Sequence, residues 1–317
     1  MKKIIFLIIS TLSTITNAWI IDGVGDYKFE QINDSVYVMH GPLGEPSYKN
    51  FGFMNNPGIV VGNDGVTVID PGSTYQVGVK VIQEIEIITN KPILAVFNTH
   101  VHGDHWLGNQ AIIEKYPNAK IYAHPQMIAQ AILSEGEMWV EIMSNMTEGL
   151  SNGTSAIYPT EETSHLENIN IGSETFIIHS PTKKAHTNTD IMIEHLNSGT
   201  LFLGDNDTVD RLARFGSTSD MHSNIDTLKY AIDLNLTNYI PGHGPSGSAD
   251  TSVLPFLNYL VKVREEVIKG YEEDLSDYEI KPLAINALEE YAEWSGFEQQ
   301  IGLHINKMLM EIENIDF

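Results

Sequence analysis

The chain has 317 residues, of which 42% are hydrophobic, enough for a packed core and too many for a globally disordered chain. Its formal net charge of −24 argues against nucleic acid as a partner, because binding to phosphates requires a basic surface. It has no cysteine, which excludes disulfides, thiolate metal ligands and cysteine nucleophiles.

The N-terminus has the pattern of a secretory signal peptide. Lys2 and Lys3 precede an apolar run over residues 4–15, and residues 16–18 (Thr-Asn-Ala) offer small side chains to a signal peptidase. The run is shorter than the ~20 residues that span a bilayer, which favours cleavage over a membrane anchor. We therefore expect a signal peptide at residues 1–18, a periplasmic or secreted protein, and no membrane span in the mature chain.

The next part of the chain predicts strands that alternate with helices. Short apolar runs indicate strands at residues 35–39, 58–61, 66–69, 93–98 and 120–123. Helical spacing indicates helices at residues 75–89 and 106–116 and from Gln126 onward. Asn63-Asp64-Gly65 is typical of a tight turn, so the second and third strands are expected to form a hairpin.

A second stretch repeats this pattern. Strands are expected at residues 169–179, 191–195, 200–203 and 238–240, with a helix from Asn224 onward. Two sheets with helices outside them form a four-layer αββα sandwich, which belongs to the α+β class. From Asp250 onward the pattern is helical only. The chain is therefore divided into a catalytic domain at 19–249 and a C-terminal helical appendage at 250–317.

The strongest chemical signal is residues 99–106, Thr-His-Val-His-Gly-Asp-His-Trp. Three imidazoles and one carboxylate lie here between a predicted buried strand and a helix, and such a loop projects side chains from a rigid base. These ligands suit zinc, or in some sites iron or manganese. The alternative is a histidine-rich surface loop, which the position between two buried elements argues against.

Three later residues can complete a metal site. His186, Asp205 and His243 each follow a predicted strand. Glycines flank His243 in Pro-Gly-His-Gly, and glycine lets the backbone approach a site closely. Four ligands on one loop cannot all face one ion, so the complete set indicates two metal ions.

These motifs together resemble the metallo-β-lactamase superfamily. The resemblance rests on His-Xaa-His-Xaa-Asp-His, a later His-Thr, Phe-Leu-Gly-Asp and Pro-Gly-His-Gly, and it extends to about Gly247. It implies two divalent metal ions, with Zn²⁺ favoured, and a ligand for every motif residue. His100, His102 and His186 would hold the first ion, Asp104, His105 and His243 the second, and Asp205 would bridge them.

Within the superfamily, the Asp at position 205 resembles the glyoxalase-II-like and lactonase-like arrangement. It excludes the β-lactamase subclasses that use a thiolate there. The spacing from His186 to Asp190 and the helical tail are most similar to periplasmic quinoprotein-relay and sulfur-oxidation-associated hydrolases. After His186 the sequence has Thr-Asn-Thr-Asp where many members have Pro-Gly, so Asp190 is either a supporting anchor or a surface residue. Asp70 resembles a buried acid that supports the motif loop through hydrogen bonds; alternatively it only initiates a turn before Pro-Gly.

Seven histidines lie outside these motifs. His304 is expected in the core, and His222 is the one expected to face substrate. Two segments rich in aromatic residues and Met, 41–57 and 135–154, are expected either to cover the site or to belong to the core. The residues singled out in them are Tyr48, Phe51, Phe53, Met54, Met138, Trp139, Met143 and Met146. The other five histidines are His40, His124, His165, His179 and His195.

The ligand set predicts a hydrolase for a small-molecule acyl substrate, an ester, thioester or lactone, with Asp104 as the catalytic residue. Two cations lower the pKa of a bridging water, and the resulting hydroxide attacks the carbonyl. One alternative is a class B3-like β-lactamase, against which Asp205 counts. Another is an oxygen-handling diiron protein, in which Glu is usual where His102 stands. A third is a non-catalytic periplasmic metal-binding or redox-relay accessory, against which the intact ligand set counts.

Overall fold

The computed structural model describes residues 23–315, so the predicted signal peptide lies outside the described part of the chain. Two β-sheets carry the fold. The first contains β1 (Glu30–Gln31), β2 (Val36–Val38), β3 (Gly58–Val61), β4 (Val66–Ile69), β5 (Ile93–Phe97), β6 (Lys120–Ala123) and β7 (Glu161–Glu162), in that order. The second contains β8 (Asn168–Ile171), β9 (Glu174–His179), β10 (Met192–His195), β11 (Thr200–Thr208) and β12 (Asn238–His243), in the order β12-β11-β10-β9-β8.

Helices flank both sheets. They are α1 (Tyr75–Ile88), α2 (Gly103–Trp106), α3 (Asn109–Lys115), α4 (Pro125–Gln130), α5 (Gly136–Met146), α6 (Met221–Asp233), α7 (Leu254–Glu272), α8 (Asp277–Ala287) and α9 (Phe297–Ile315). Short π-helical turns at Ala131–Glu135 and Ala249–Val253 precede α5 and α7. Within residues 23–315, no helix is long and apolar enough to cross a membrane.

Three apolar layers hold the sheets and helices together. Between the sheets, Phe97 packs against Phe176, with ring centroids 5.2 Å apart. On the outer face of the first sheet, Val81 of α1 belongs to a buried cluster with Val96 of β5. On the outer face of the second sheet, α6 to α9 share one cluster that includes Leu203. The four-layer αββα sandwich with a helical C-terminal region is therefore confirmed. The proposed division at residue 250 stays a prediction.

The predicted strand at 169–179 is wrong in one respect, because it is two strands, β8 and β9. Gly172, with a φ of +58°, turns the chain between them. The predicted helix at 106–116 is likewise interrupted between α2 and α3. A Cβ on Gly108 would lie 2.4 Å from the carbonyl oxygen of Pro71, so the two backbones meet in direct contact at this point.

Candidate metal centre

The motif loop lies at one end of the first sheet. It follows β5 directly and leads into α2, whose N-cap is His102 and whose first turn contains Asp104. Asp70 follows the neighbouring strand β4, and its backbone N–H donates to Phe97 O at 2.9 Å. The loop side chains are therefore presented from the ends of two parallel, hydrogen-bonded strands.

The seven predicted ligands lie in two adjoining groups. In each group, the candidate ligand atoms lie within 4.8 Å of one another. The motif loop belongs to the first sheet and the other ligands to the second, so both groups form only because the sheets stack. The first group is His100, His102, His186 and Asp205, and the second is Asp104, His105, Asp205 and His243. Both groups could hold a metal ion, and binding itself stays a prediction.

Asp205 faces both groups. Its Oδ2 lies 3.5 Å from His186 Nε2 and 3.9 Å from His100 Nε2. Its Oδ1 lies 3.1 Å from His105 Nε2 and 3.3 Å from His243 Nε2. Ligands of one tetrahedral zinc ion, with bonds of roughly 2.0–2.2 Å, lie roughly 3.3–3.6 Å apart. The carboxylate is thus placed to offer one oxygen to each of two ions.

Hydrogen bonds on the far side of the rings orient His100 and His105. Thr99 Oγ1 donates to Asp70 Oδ2 at 2.7 Å, so its oxygen is left to accept from His100 Nδ1 at 2.9 Å. Asp70 Oδ2 also accepts from His105 Nδ1 at 2.8 Å. In a neutral imidazole that donates through Nδ1, Nε2 carries a lone pair. Both Nε2 atoms are buried and have no hydrogen-bond partner within residues 23–315, which fits a cation in each group.

His243 is oriented in the same way, because its Nδ1 donates to Met54 O at 2.8 Å. In the first group, His186 Nε2 lies 3.0 Å from His102 Nδ1, so these two nitrogens converge as well. Asp205 Oδ1 is a further buried atom without a hydrogen-bond partner among the described residues. The donor set, five imidazoles and two carboxylates, therefore fits two hard or borderline divalent cations.

The electrostatics differ between the groups. Burial lowers the pKa of His100 well below its usual range and that of His186 to about 3, which keeps both rings neutral, the form that ligates metals. Burial opposes ionisation of Asp205, but His243 and His105 outweigh it and hold its pKa well below the usual range. Burial opposes ionisation of Asp104 as well, but His105 and His243 hold its pKa well below the usual range. Asp205 belongs to both groups and Asp104 to the second alone, so the second group has the greater negative charge and attracts positive charge more strongly.

The local backbone of the second sheet brings Asp205 into place. We expected Asp205 and His243 in loops just after strands; instead, they lie within β11 and β12. The ladder between these strands is irregular from Phe202 to Thr208, which allows the strands to continue past the site. A Cβ on Gly242 would lie 2.0 Å from Asp205 Oδ1. Only glycine leaves room for the carboxylate there, as the Pro-Gly-His-Gly motif indicated.

Asp70 and Asp190, for which the sequence left two interpretations open, both support the loops that carry candidate ligands. Asp70 is buried and accepts from Thr99 N at 2.9 Å in addition to its contact with His105, so it anchors the motif loop rather than only starting a turn. Asp190 accepts from Thr187 N at 2.8 Å and ties down the loop that carries His186. Burial raises the pKa of Asp190 to about 7.

A cleft of about 280 Å³ leads to the two groups. Of the side chains singled out beforehand, Met54, Trp139, Met143 and Met146 line it. Phe51 and Phe53 pack in the core instead, and Tyr48 and Met138 are exposed. One wall is therefore apolar. Sequence reasoning missed the polar wall, which consists of Glu45, Arg211 and Arg214.

The other histidines lie outside both groups. The prediction for His222 is wrong, because its Nδ1 lies 3.1 Å from Glu311 Oε2, which joins the start of α6 to α9 away from the cleft. His304 is buried as expected and hydrogen-bonds to Tyr259 OH at 2.7 Å. The remaining five, His40, His124, His165, His179 and His195, each have a protein hydrogen-bond partner.

Two stacked sheets with helices on their outer faces and two adjoining His/Asp groups define an αββα protein with a candidate dinuclear metal site. The family model of the metallo-beta-lactamase superfamily matches residues 51–243. The chain belongs to that superfamily, whose members are generally hydrolases.

Solved structures support the same fold. The chain is similar to a metallo-beta-lactamase from Pontibacter korlensis, with a TM-score of 0.55, 16% identity and coverage of 74% of this chain and 99% of that one. It is also similar to a metallo beta lactamase from Hirschia baltica, with a TM-score of 0.54, 16% identity and coverage of 74% and 97%. A third, from Erythrobacter litoralis, has a TM-score of 0.54, 16% identity and coverage of 75% and 97%. No curated protein sequence matches the chain significantly.

Proposed function

We propose that this chain is a dinuclear metal-dependent hydrolase that cleaves an ester, thioester or lactone carbonyl of a small molecule. The observation that carries the proposal is Asp205, whose two oxygens face separate ligand groups. Five imidazoles and two carboxylates without any thiolate favour Zn²⁺, with iron and manganese as the alternatives that a metal analysis would reveal.

Divalent ions held by these two groups would supply an acidified water and a Lewis acid for a carbonyl oxygen. The chain's own residues place the reaction. Asp104 Oδ2 lies 3.3 Å from His243 Nε2 and the residue lines the cleft, so Asp104 can both hold an ion and accept a hydrogen bond from the attacking water. Trp139 and Met143 line the cleft, and their apolar side chains would keep bulk water from the reacting carbonyl.

Hydrolysis of β-lactams is the second candidate, because the similar solved structures carry that name. Asp205 counts against it. If two ions were held here, the Asp205 carboxylate would add negative charge beside Asp104 and lower their Lewis acidity, so a departing amide nitrogen would be stabilised less well. An alkoxide or thiolate leaving group needs less of that help.

The test is a panel of thioesters, lactones, activated esters, penicillins and cephalosporins, with one metal-loaded preparation. We expect kcat/KM to be higher for the acyl compounds with good leaving groups than for the β-lactams. Efficient β-lactam turnover without ester, thioester or lactone hydrolysis would overturn the proposal in favour of the second candidate.

We also propose that the protein acts in the periplasm or outside the cell. The support is the charged and apolar pattern of residues 1–18. Mass spectrometry of the protein from its native host should show a chain that begins after Ala18. An intact N-terminus in the cytoplasmic fraction would contradict this location.

A further inference from the structure

Arginine is rare in this chain and concentrated at the cleft. The sequence has three arginines, Arg211, Arg214 and Arg264, and the first two line the cleft that leads to the metal-ligand groups. Among the described residues that line the cleft there is no lysine, so these two arginines are its basic side chains apart from the histidines. In a chain with a formal net charge of −24, two guanidinium groups at one opening form a local positive subsite.

Arg211 is held rigidly. Its side chain is buried, and Nη1 donates to Leu43 O at 2.6 Å and to Gly44 O at 2.9 Å. Nη2 is directed at Glu45 Oε1 at the longer distance of 3.4 Å. One edge of this guanidinium is thus fixed by the protein backbone, whereas the other edge has only a weak partner.

Arg214 is the exposed partner of the pair. Its side chain is 63% exposed, and Nη2 donates to Glu45 Oε2 at 2.8 Å. The carboxylate of Glu45 therefore gives one oxygen to each arginine. This is the arrangement in which two guanidinium groups recognise a carboxylate.

Glu45 can leave this position at low cost. Its side chain is 49% exposed, its ion pair with the exposed Arg214 is of the kind that contributes little to stability, and its contact with the buried Arg211 is long, at 3.4 Å. The neighbouring Gly44 has no atom within 4 Å of where a Cβ would lie, so the loop has open space beside it. An incoming carboxylate could replace Glu45 without disturbing the core.

We propose that Arg211 and Arg214 bind a carboxylate of the substrate, and that Glu45 occupies this subsite until the substrate displaces it. The inference rests on the proposed function and narrows its substrate class. The substrate is an acyl compound with an anionic group at the arginine wall and an apolar part against Trp139 and Met143, on the apolar wall of the same cleft. The scissile carbonyl would lie between them, at the ligand groups.

The kinetic test compares two activated esters that differ in one carboxylate, p-nitrophenyl hemiglutarate and p-nitrophenyl butyrate. The measured quantity is the ratio of their kcat/KM values, anionic over neutral. For Arg214→Gln we expect this ratio to fall about tenfold, since one charge-assisted hydrogen bond is lost. For Glu45→Gln we expect it to rise, because the internal competitor loses its charge. Arg264→Gln, outside the cleft, is the matched control and should leave the ratio unchanged.

A second readout does not depend on catalysis. Hexanoate and hexanamide are titrated into the protein as purified and followed by calorimetry. We expect hexanoate to bind more tightly to Glu45→Gln than to the parent protein and more weakly to Arg214→Gln. The affinity for hexanamide should be unchanged by either substitution. If the affinity for hexanoate is the same in the parent and in both variants, the inference is overturned.

The two proposals fail separately. If esters are hydrolysed but the anionic-to-neutral ratio is the same in the parent, Arg214→Gln and Glu45→Gln proteins, the carboxylate subsite is wrong and the hydrolase proposal stands. If no acyl compound is hydrolysed but hexanoate binding follows the charges at these positions, the subsite is supported and the hydrolase proposal is wrong.

Discussion

Asp70 Oδ2 accepts a hydrogen bond from His105 Nδ1 at 2.8 Å, which joins the end of β4 to a candidate ligand on α2. The same oxygen accepts from Thr99 Oγ1, which in turn contacts His100. One buried carboxylate thus sets the orientation of a histidine in each ligand group. Such outer contacts fix which ring nitrogen carries the lone pair.

We therefore predict that Asp70→Asn weakens metal binding by about 10–100-fold, because the carboxylate that orients His105 loses its charge. Asn tolerates the left-handed backbone at this position, where φ is +52°, so the fold should persist. The measurement is competition for metal with a chromophoric chelator. Asp210→Asn is the matched control, since Asp210 also has a positive φ of +59° but lies in neither group. Equal affinities in the two variants would contradict the role of Asp70.

Two metal ions per chain are expected by elemental analysis after mild dialysis. Single substitutions should separate the groups. His186→Ala should retain one ion, in the second group, and His243→Ala one ion, in the first. Asp205→Asn should weaken binding of both, because one oxygen faces each group. A stable content of one ion with full activity in the unmodified protein would refute the dinuclear site.

Asp104→Ala is expected to lower kcat by about 10²-fold or more, with a much smaller change in KM. The reason is that Asp104 would position the attacking water, an interaction that matters chiefly in the transition state. Steady-state kinetics should be measured at saturating metal, with metal content confirmed for each sample. A rise in KM alone would reassign Asp104 to substrate binding.

Gly242→Ala should fold but lose affinity for metal. The new methyl group would lie 2.0 Å from Asp205 Oδ1, and overpacking of this kind costs roughly 1–3 kcal/mol. The comparison is Gly216→Ala, also at the cleft, where no atom lies within 4 Å of the added carbon. Thermal unfolding with and without Zn²⁺ should show a smaller metal-dependent stabilisation for Gly242→Ala only.

His304 should make the fold sensitive to acid. Burial lowers its pKa to about 4 from an ordinary value of 6.5, so below pH 6.5 the unfolded chain binds a proton that the folded protein excludes. Stability is therefore lost as pH falls from 6.5 towards 4, by on the order of 3 kcal/mol from this group. Denaturant unfolding of the parent and His304→Gln proteins across this range should show the difference between their unfolding free energies changing with pH. A constant difference would contradict the role of His304.

The sequence motifs predicted the residues of the two ligand groups better than the other side chains that line the cleft. His100 and His105 could be recognised because several imidazoles and a carboxylate cluster between two buried elements. Asp205 and His243 could be identified from their glycine-containing motifs, although they lie within strands rather than after them. The predicted ends of these two strands came too early, because the irregular pairing of β11 with β12 produces no recognisable pattern of apolar residues.

The polar wall could not be foreseen because it depends on long-range contacts. Glu45 and Arg211 are far apart in the chain and meet only when the two segments that carry them pack together. The one available signal was composition: two of the three arginines lie three positions apart, shortly after the Phe-Leu-Gly-Asp strand. His222 was misjudged for the same reason, since its partner Glu311 lies on the last helix.

The C-terminal helices have a consequence for how this fold can diverge. Leu212 N donates to Ser295 O at 2.9 Å, Ser295 N donates to Asp210 O at 2.9 Å, and His304 Nε2 bonds to Ala213 O at 2.9 Å. The segment that carries both cleft arginines is therefore fastened to helices that contribute no metal ligand. If the two arginines select the substrate as proposed, mutations in those helices would shift ligand preference and leave the ligand groups intact, so selectivity and reactivity would be open to separate evolution in one chain.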